Sequence, residues 1–345
     1  MDKKKKLCSI LFMLVIFGLT SYAIFSKNDL SEILYWIRQI RVEYLVVAML
    51  FVPVFVCCES VIICYLMKHI GVKVSFARSC MYSFIGFFYS SITPSASGGQ
   101  PMQMVYMKKD KIGLSESSIV LLIITMAYKL VLVLIGGVVM LLNFRWLHRS
   151  IGRSITLCYL GMVLNILCVL GMGFLLFSKK VAPYIVLNCE KLLVKIRILK
   201  SSDCRRKKLD DFLKKYRGVS KFLKNNREVF IPVMCITFVQ RVLMFVVTYF
   251  VYKAFRLQGT TFLAIVILQA IISLSVDMLP LPGGMGVSEG LFVKIFRPVF
   301  GHTLVVPAML LSRWVSFYVL LFLSGVITLL SSVVYGRLEA KAIDS

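Results

Sequence analysis

Hydrophobic and polar positions do not alternate in this chain; apolar residues fuse into long runs separated by short charged segments. Six runs match the length needed to cross a hydrocarbon core as helix, about 20 residues. They are Leu7–Phe25, Val42–Met67, Ser117–Leu142, Ser154–Phe177, Val229–Val251 and His302–Tyr335. Two further apolar runs, Cys80–Ile92 and Thr260–Leu279, lead into breaks rich in proline and glycine. The first break reads Thr93-Pro94-Ser95-Ala96-Ser97-Gly98-Gly99-Gln100-Pro101. The second reads Leu279-Pro280-Leu281-Pro282-Gly283-Gly284-Met285-Gly286-Val287-Ser288-Glu289. A helix broken within hydrocarbon leaves backbone N–H and C=O groups unpaired, so such a break persists only where protein or water lines it. A matched pair of breaks in two halves of a chain points to a transport site between internal repeats.

Composition supports the membrane reading. Of 345 residues, 59% are hydrophobic and the mean hydropathy is +0.85, outside the range of a soluble domain. The first run follows the basic tetrad Lys3–Lys6, as a secretory signal would. Its 19-residue core exceeds the usual signal core of about 7–15 residues. An uncleaved anchor is therefore expected, with cleavage after Ala23 as the alternative. Most of the ten cysteines fall inside the runs and none forms a C-x-x-C pair, which fits buried apolar thiols better than disulfides or metal ligands.

The net charge of +25 is placed unevenly. Residues 179–228 hold 16 Lys and Arg against five acids, including Arg205-Arg206-Lys207-Lys208. A solvated cytoplasmic loop obeying the positive-inside rule accounts for this, and attraction to anionic headgroups is a second, compatible reading. No nucleic-acid-binding fold or aromatic platform accompanies the charge, so no nucleic-acid partner is expected.

Charge also sets the topology. With Lys3–Lys6 and residues 179–228 both inside, a complete crossing by Cys80–Ile92 would put the basic loop outside. Residues 75–105 are therefore expected to enter from the cytoplasm, turn at the first break and leave on the same side. The same parity makes 260–300 a hairpin entered from the outside. The expected fold is an all-α polytopic membrane protein with six full spans and two opposed re-entrant hairpins in an inverted-repeat arrangement. It forms one membrane domain: a first half 1–178, the basic loop 179–228 and a second half 229–345. Ser31–Arg41 mixes Leu34, Trp36, Ile37 and Ile40 with charges, as an interfacial amphipathic helix does.

The candidate chemistry lies at the breaks. Gly98-Gly99-Gln100-Pro101 reads as a loop opening a helix, since proline suits the first helical position. Pro282, Gly283, Gly284 and Gly286 ahead of Glu289 can build a second helix start. Helix starts present free N–H groups and a positive dipole end, which together favour a phosphate. Lys129 and Arg241 sit mid-span, where a charge is costly; Glu59, Asp277, Glu289, Lys294 and Arg313 lie at similar depth. Pairing is expected among them, for example of Glu59 or Asp277 with Arg241. Lys129, Arg241 and Arg313 are the candidate phosphate contacts, with Asp277 and Glu289 orienting them or binding a cationic headgroup. No nucleotide, hydrolase or metal-binding motif appears, so no catalytic residue, metal or other cofactor is expected.

The two breaks, together with Arg313-Trp314-Val315-Ser316-Phe317-Tyr318, resemble the lysylphosphatidylglycerol synthase transmembrane family. That family comprises the flippase-like membrane domain of the bacterial multiple peptide resistance factor and its stand-alone relatives. Lys129 falls where the family's basic residue after the first break is expected, whereas Gln103 departs from a basic residue often found there. The resemblance implies movement of an anionic or aminoacylated phospholipid from the inner to the outer leaflet of the cell membrane. It also implies resistance to cationic antimicrobial peptides. Fused members carry a soluble C-terminal domain that transfers lysine from lysyl-tRNA. This chain ends at Ser345, ten residues past its last run, so that domain and its lysyltransferase activity are not expected here. A membrane enzyme acting on a lipid carrier and an accessory subunit recruiting a separate synthase remain the competing classes, and a homo-oligomer is a further open partner.

Overall fold

The computed structural model describes residues 30–142, 155–178 and 203–343, with isolated positions at 152, 181, 183–184, 188 and 190. The Leu7–Phe25 run and most of 179–202 lie outside the described residues. The described chain is helical throughout, with no strand. It comprises α1 (Leu30–Arg38), α2 (Val42–His69), α3 (Phe76–Ile92), α4 (Gly99–Lys109), α5 (Leu114–Leu142), α6 (Ile155–Phe177), α7 (Asp203–Asn225), α8 (Phe230–Ala254), α9 (Phe262–Val276), α10 (Val287–Arg313) and α11 (Leu320–Ile343). Short 3-10 turns, Pro94–Ala96 and Pro282–Gly284, occupy the breaks, and a π segment, Trp314–Val319, joins α10 to α11.

Five stretches are long and apolar enough to cross a membrane; four match expected spans to within a few residues, and the fifth, Pro282–Tyr335, contains the expected His302–Tyr335 but begins 20 residues earlier. This is an all-α polytopic membrane fold. Their outer faces carry exposed side chains such as Leu167, Phe174, Leu329 and Leu330, as a lipid-facing surface requires. In α2, Glu43 in the first turn and Lys68 and His69 in the last complement the helix dipole.

The longest helical stretch, Pro282–Tyr335, is folded in two. In a straight helix Glu289 and Arg313 would lie about 36 Å apart. Instead the Arg313 Nε meets Glu289 Oε1 at 2.7 Å. The reversal falls midway, at Gly301, whose φ of 75° and ψ of 177° lie in a region that essentially only glycine occupies. Residues 262–300 thus form a helical hairpin, and the last spanning helix begins after Gly301.

The first hairpin is antiparallel as well. Tyr82 donates to Asp110, Gly86 faces Gln103, and a Cβ on Gly99 would lie 2.6 Å from the Gly86 carbonyl oxygen. The two units repeat with a fixed offset: Val42 and Phe230, Pro94 and Pro282, Gly99 and Val287, and Gly113 and Gly301 all lie 188 positions apart. Each unit is a spanning helix, a broken hairpin and a second spanning helix.

Helices α2 and α8 pack antiparallel at the centre. Arg41 N donates to Ala254 O at 3.0 Å, and Gln240 Nε2 to Phe55 O at 3.1 Å. The first hairpin opens at the His69 end of this pair and the second at the Ala254 end, so their mouths lie at opposite ends of the molecule. The C-terminal part of α11 closes on the first mouth, where Tyr335 donates to Asp110 at 2.6 Å and Arg78 lies 3.8 Å from the same carboxylate.

Two peripheral helices complete the molecule. In α1, Ile33 is buried while Leu34 and Tyr35 are exposed, an amphipathic arrangement beside α10. Residues 203–225, expected as solvated loop, are instead a docked amphipathic helix. Leu213 and Tyr216 of α7 are buried; Tyr216 donates to Leu175 O and Ser115 to Phe212 O, both at 3.2 Å. Its basic residues Lys214, Lys215 and Arg217 stay exposed.

Candidate functional site

The two breaks open on nearly the same backbone path and diverge after four residues, where Ser97 and Gly98 are right-handed but Met285 is extended and Gly286 has a φ of 85°. Thr93 and Leu281 are extended (φ −116° and −119°), a proline opens each 3-10 turn, and the next two residues are left-handed. In the second break these are Gly283 and Gly284 (φ 57° and 66°); in the first they are Ser95 and Ala96 (φ 51° and 53°). The breaks touch: Ser95 Oγ donates to the Leu279 carbonyl at 3.4 Å. Thr93 closes the first break by accepting from Gly98 N at 2.9 Å and donating to Tyr89 O at 2.6 Å.

Charged side chains from three elements meet beside this contact. Asp277, at the end of α9, receives Lys129 Nζ of α5 at 2.7 Å and an Arg241 Nη of α8 at 3.4 Å. Arg241 is 6% exposed and lies over the Tyr128 ring, with its guanidinium carbon 3.0 Å from the ring centre. Its Nε is buried and has no hydrogen-bond partner among the described residues. A buried donor left unpaired costs about 1–3 kcal/mol.

The second ion pair is more completely satisfied. Glu289 Oε2 accepts from Gly286 N at 2.7 Å and from Ser288 Oγ at 3.0 Å, while Arg313 also donates to the Gly283 carbonyl at 2.6 Å. Glu289 therefore occupies the helix start that was expected to receive a phosphate. A carboxylate three residues into a helix reaches back to the free N–H groups, and here it also neutralises Arg313. The first helix start carries no such acid: Gln100 donates to Thr125 instead. Thr125 stands in the repeat where Arg313 stands, 188 positions earlier.

A cavity of about 230 Å³ lies where the breaks meet. Its lining includes Tyr128, Arg241, Asp277, Gly283, Gly284 and Phe317, and the hydroxyl-bearing Ser90, Ser91, Ser95 and Ser273. Arg241 is thus the one expected cation on the lining. Lys129 acts on the cavity through Asp277, and Arg313 through the Gly283 carbonyl. Gly98, Gly99, Gln100, Gly286 and Glu289 shape the breaks without lining the cavity. Glu59 pairs with neither Arg241 nor Lys129; it accepts from Gln103 Nε2 at 2.8 Å. Lys294 is exposed on α10. No group of three metal-ligating side chains occurs among the described residues.

Residues 7–324 match the family model described as the lysylphosphatidylglycerol synthase TM region. The chain belongs to that family. Membership makes it a multi-pass membrane protein related to the handling of lysylphosphatidylglycerol. No curated protein matches the chain.

Within this family member, sequence reasoning missed Tyr128, Thr125, the Glu59–Gln103 pair and the place on the cavity of Phe317, which it had quoted only as part of a motif. Tyr128 and Phe317 are aromatic residues in apolar runs, where nothing separates a ring under a guanidinium from ordinary core. Thr125 was legible through the repeat, because the offset of 188 places it opposite Arg313. The Glu59–Gln103 contact joins two helices and has no local signature.

Proposed function

We propose that this chain is a phospholipid translocator of the plasma membrane that carries phosphatidylglycerol or an aminoacylated derivative between leaflets. By doing so it would support resistance to cationic antimicrobial peptides. In this reading the N-terminus and residues 179–228 are cytoplasmic. The first hairpin re-enters from that side and the second from the outside. The supporting observation is the contact of two backbone breaks beside a buried arginine with an unused N–H donor. Hydroxyls and a guanidinium around a small cavity suit a phosphodiester, and charge-assisted hydrogen bonds in a desolvated site are the strong ones. Opposed mouths allow the cavity to open to one leaflet and then the other while the lipid site stays fixed.

The test is appearance of a labelled phosphatidylglycerol in the opposite leaflet of proteoliposomes. A side chain at Gly283 would strike the Phe317 ring and force a left-handed backbone onto a β-branched residue. Gly283→Val is expected to reduce transport to the protein-free background, with folding confirmed by size exclusion. Gly290→Ala, where a Cβ meets open space, should transport as the natural chain does. Full transport by folded Gly283→Val contradicts the reading.

A further inference from the structure

We infer that a second cavity, at the mouth of the second hairpin, binds the phosphate of an anionic phospholipid and so ties α1 to the last span. It has a volume of about 570 Å³ and shares no lining residue with the central cavity. Helix α1 and the turn after it supply Trp36, Arg38 and Gln39. The end of α8 supplies Phe255 and Arg256, and the last span supplies Leu304. This is a binding site apart from the one proposed for translocation.

Two guanidiniums line this cavity and no acid does. Neither Arg38 nor Arg256 makes an ion pair or a side-chain hydrogen bond among the described residues. Like charges brought together without an acid favour an anion between them, and a guanidinium can donate two parallel hydrogen bonds to phosphate oxygens. In the topology proposed above this end lies outside, where the positive-inside rule disfavours Lys and Arg, so that rule does not account for the pair. Arg256 also stands where glycine is usual. Two residues past the end of α8, its φ is 57° and its N–H donates to Lys253 O at 2.9 Å. A side chain kept at such a backbone cost beside a cavity points to a use for it. The rest of the lining is apolar: Trp36, Phe255 and Leu304 form a wall, and Leu34 and Tyr35 are exposed on α1. An amphipathic helix with an indole near the headgroups is a membrane-interface device. Phosphate donors beside an apolar wall fit a lipid rather than a soluble phosphate.

The test reads Trp36. Replacing Trp146 and Trp314 by Phe leaves Trp36 as the only tryptophan of the full chain. That chain, in phosphatidylcholine nanodiscs, receives a minor share of brominated phosphatidylglycerol or, in parallel, of brominated phosphatidylcholine. Quenching of Trp36 should show the anionic lipid enriched at the site by about fivefold for each arginine, about thirtyfold for the two. Changing Arg38 and Arg256 together to Gln should bring both lipids to equal quenching. Arg297→Gln, an exposed arginine at the same mouth but off the lining, should leave the enrichment unchanged. Arg256→Gly separates binding from folding: relief of the backbone should raise the thermal midpoint in phosphatidylcholine while enrichment falls about fivefold. Excess inorganic phosphate should not relieve the quenching. Equal quenching by the two lipids in the chain with both arginines, or a preference that survives their removal, overturns the inference. Displacement by inorganic phosphate overturns the lipid as ligand in favour of a soluble anion.

Discussion

The two breaks open on the same backbone turn and differ in chemistry. Both run through an extended residue, a proline and two left-handed residues, and both start a helix 188 positions apart. The second is held by charge: Glu289 ties the helix start to Arg313, and Arg313 ties it to Gly283. The first is held by neutral groups, with Thr93 bridging Tyr89 to Gly98 and Gln100 reaching Thr125. The second break also uses glycine where its geometry demands glycine, whereas the first forces Ser95 and Ala96 into the same left-handed conformation. The same opening turn is thus followed by two different helix starts, one held by charge and one by neutral groups.

The largest expected consequence concerns the charged break. Arg313→Ala would leave Glu289 buried without its cation, at a cost of about 3–5 kcal/mol, read as a lowered thermal midpoint in detergent. Pairing it with Glu289→Gln should recover most of that loss. If the single and double variants are equally unstable, the pair is not what holds the second break. The neutral break should be far less sensitive: Gln100→Ala removes one hydrogen bond, at about 1 kcal/mol by the same measurement. A loss as large as that of Arg313→Ala would erase the contrast between the two breaks.

The smallest effects come from backbone strain and from the surface. Ala96 is left-handed without the excuse of glycine, so Ala96→Gly should stabilise the protein by about 0.5 kcal/mol and leave transport intact. The equivalent change in the second break, Gly284→Ala, should destabilise, because φ is 66° and a Cβ would lie 3.3 Å from Val276. Changing exposed Lys214 and Lys215 of α7 to Ala should alter stability by no more than about 0.5 kcal/mol.

How much of this was legible beforehand follows from what a bilayer demands. Helices that face lipid must be apolar on nearly every side, so α2, α5, α6 and α8 stand out to within a few residues. The breaks are legible because unpaired backbone is so costly at that depth that proline and glycine there need a structural reason. The helices fold back at both breaks, where hairpins were expected, and Gly301 supplies the second reversal; the side from which each enters belongs to the proposed topology. Helix α7 was hidden by its own charge: Leu209, Phe212, Leu213, Tyr216 and Val219 keep helical spacing, yet basic residues dominate the segment. At the site, pairing of Asp277 with Arg241 followed from the rarity of buried charge. Capture of the second helix start by Glu289 did not, because it depends on side-chain reach and on the folding back of α10 at Gly301.

The claim beneath both breaks is that they approach each other from opposite faces of the membrane. Single cysteines at Lys108 and Thr303, exposed positions at the two hairpin mouths, test it in a background cleared of native cysteines. In intact cells a membrane-impermeant thiol reagent should label Thr303→Cys and leave Lys108→Cys unmodified until the cells are opened. Labelling of both positions from the same side would contradict the inverted arrangement and the lipid path built on it.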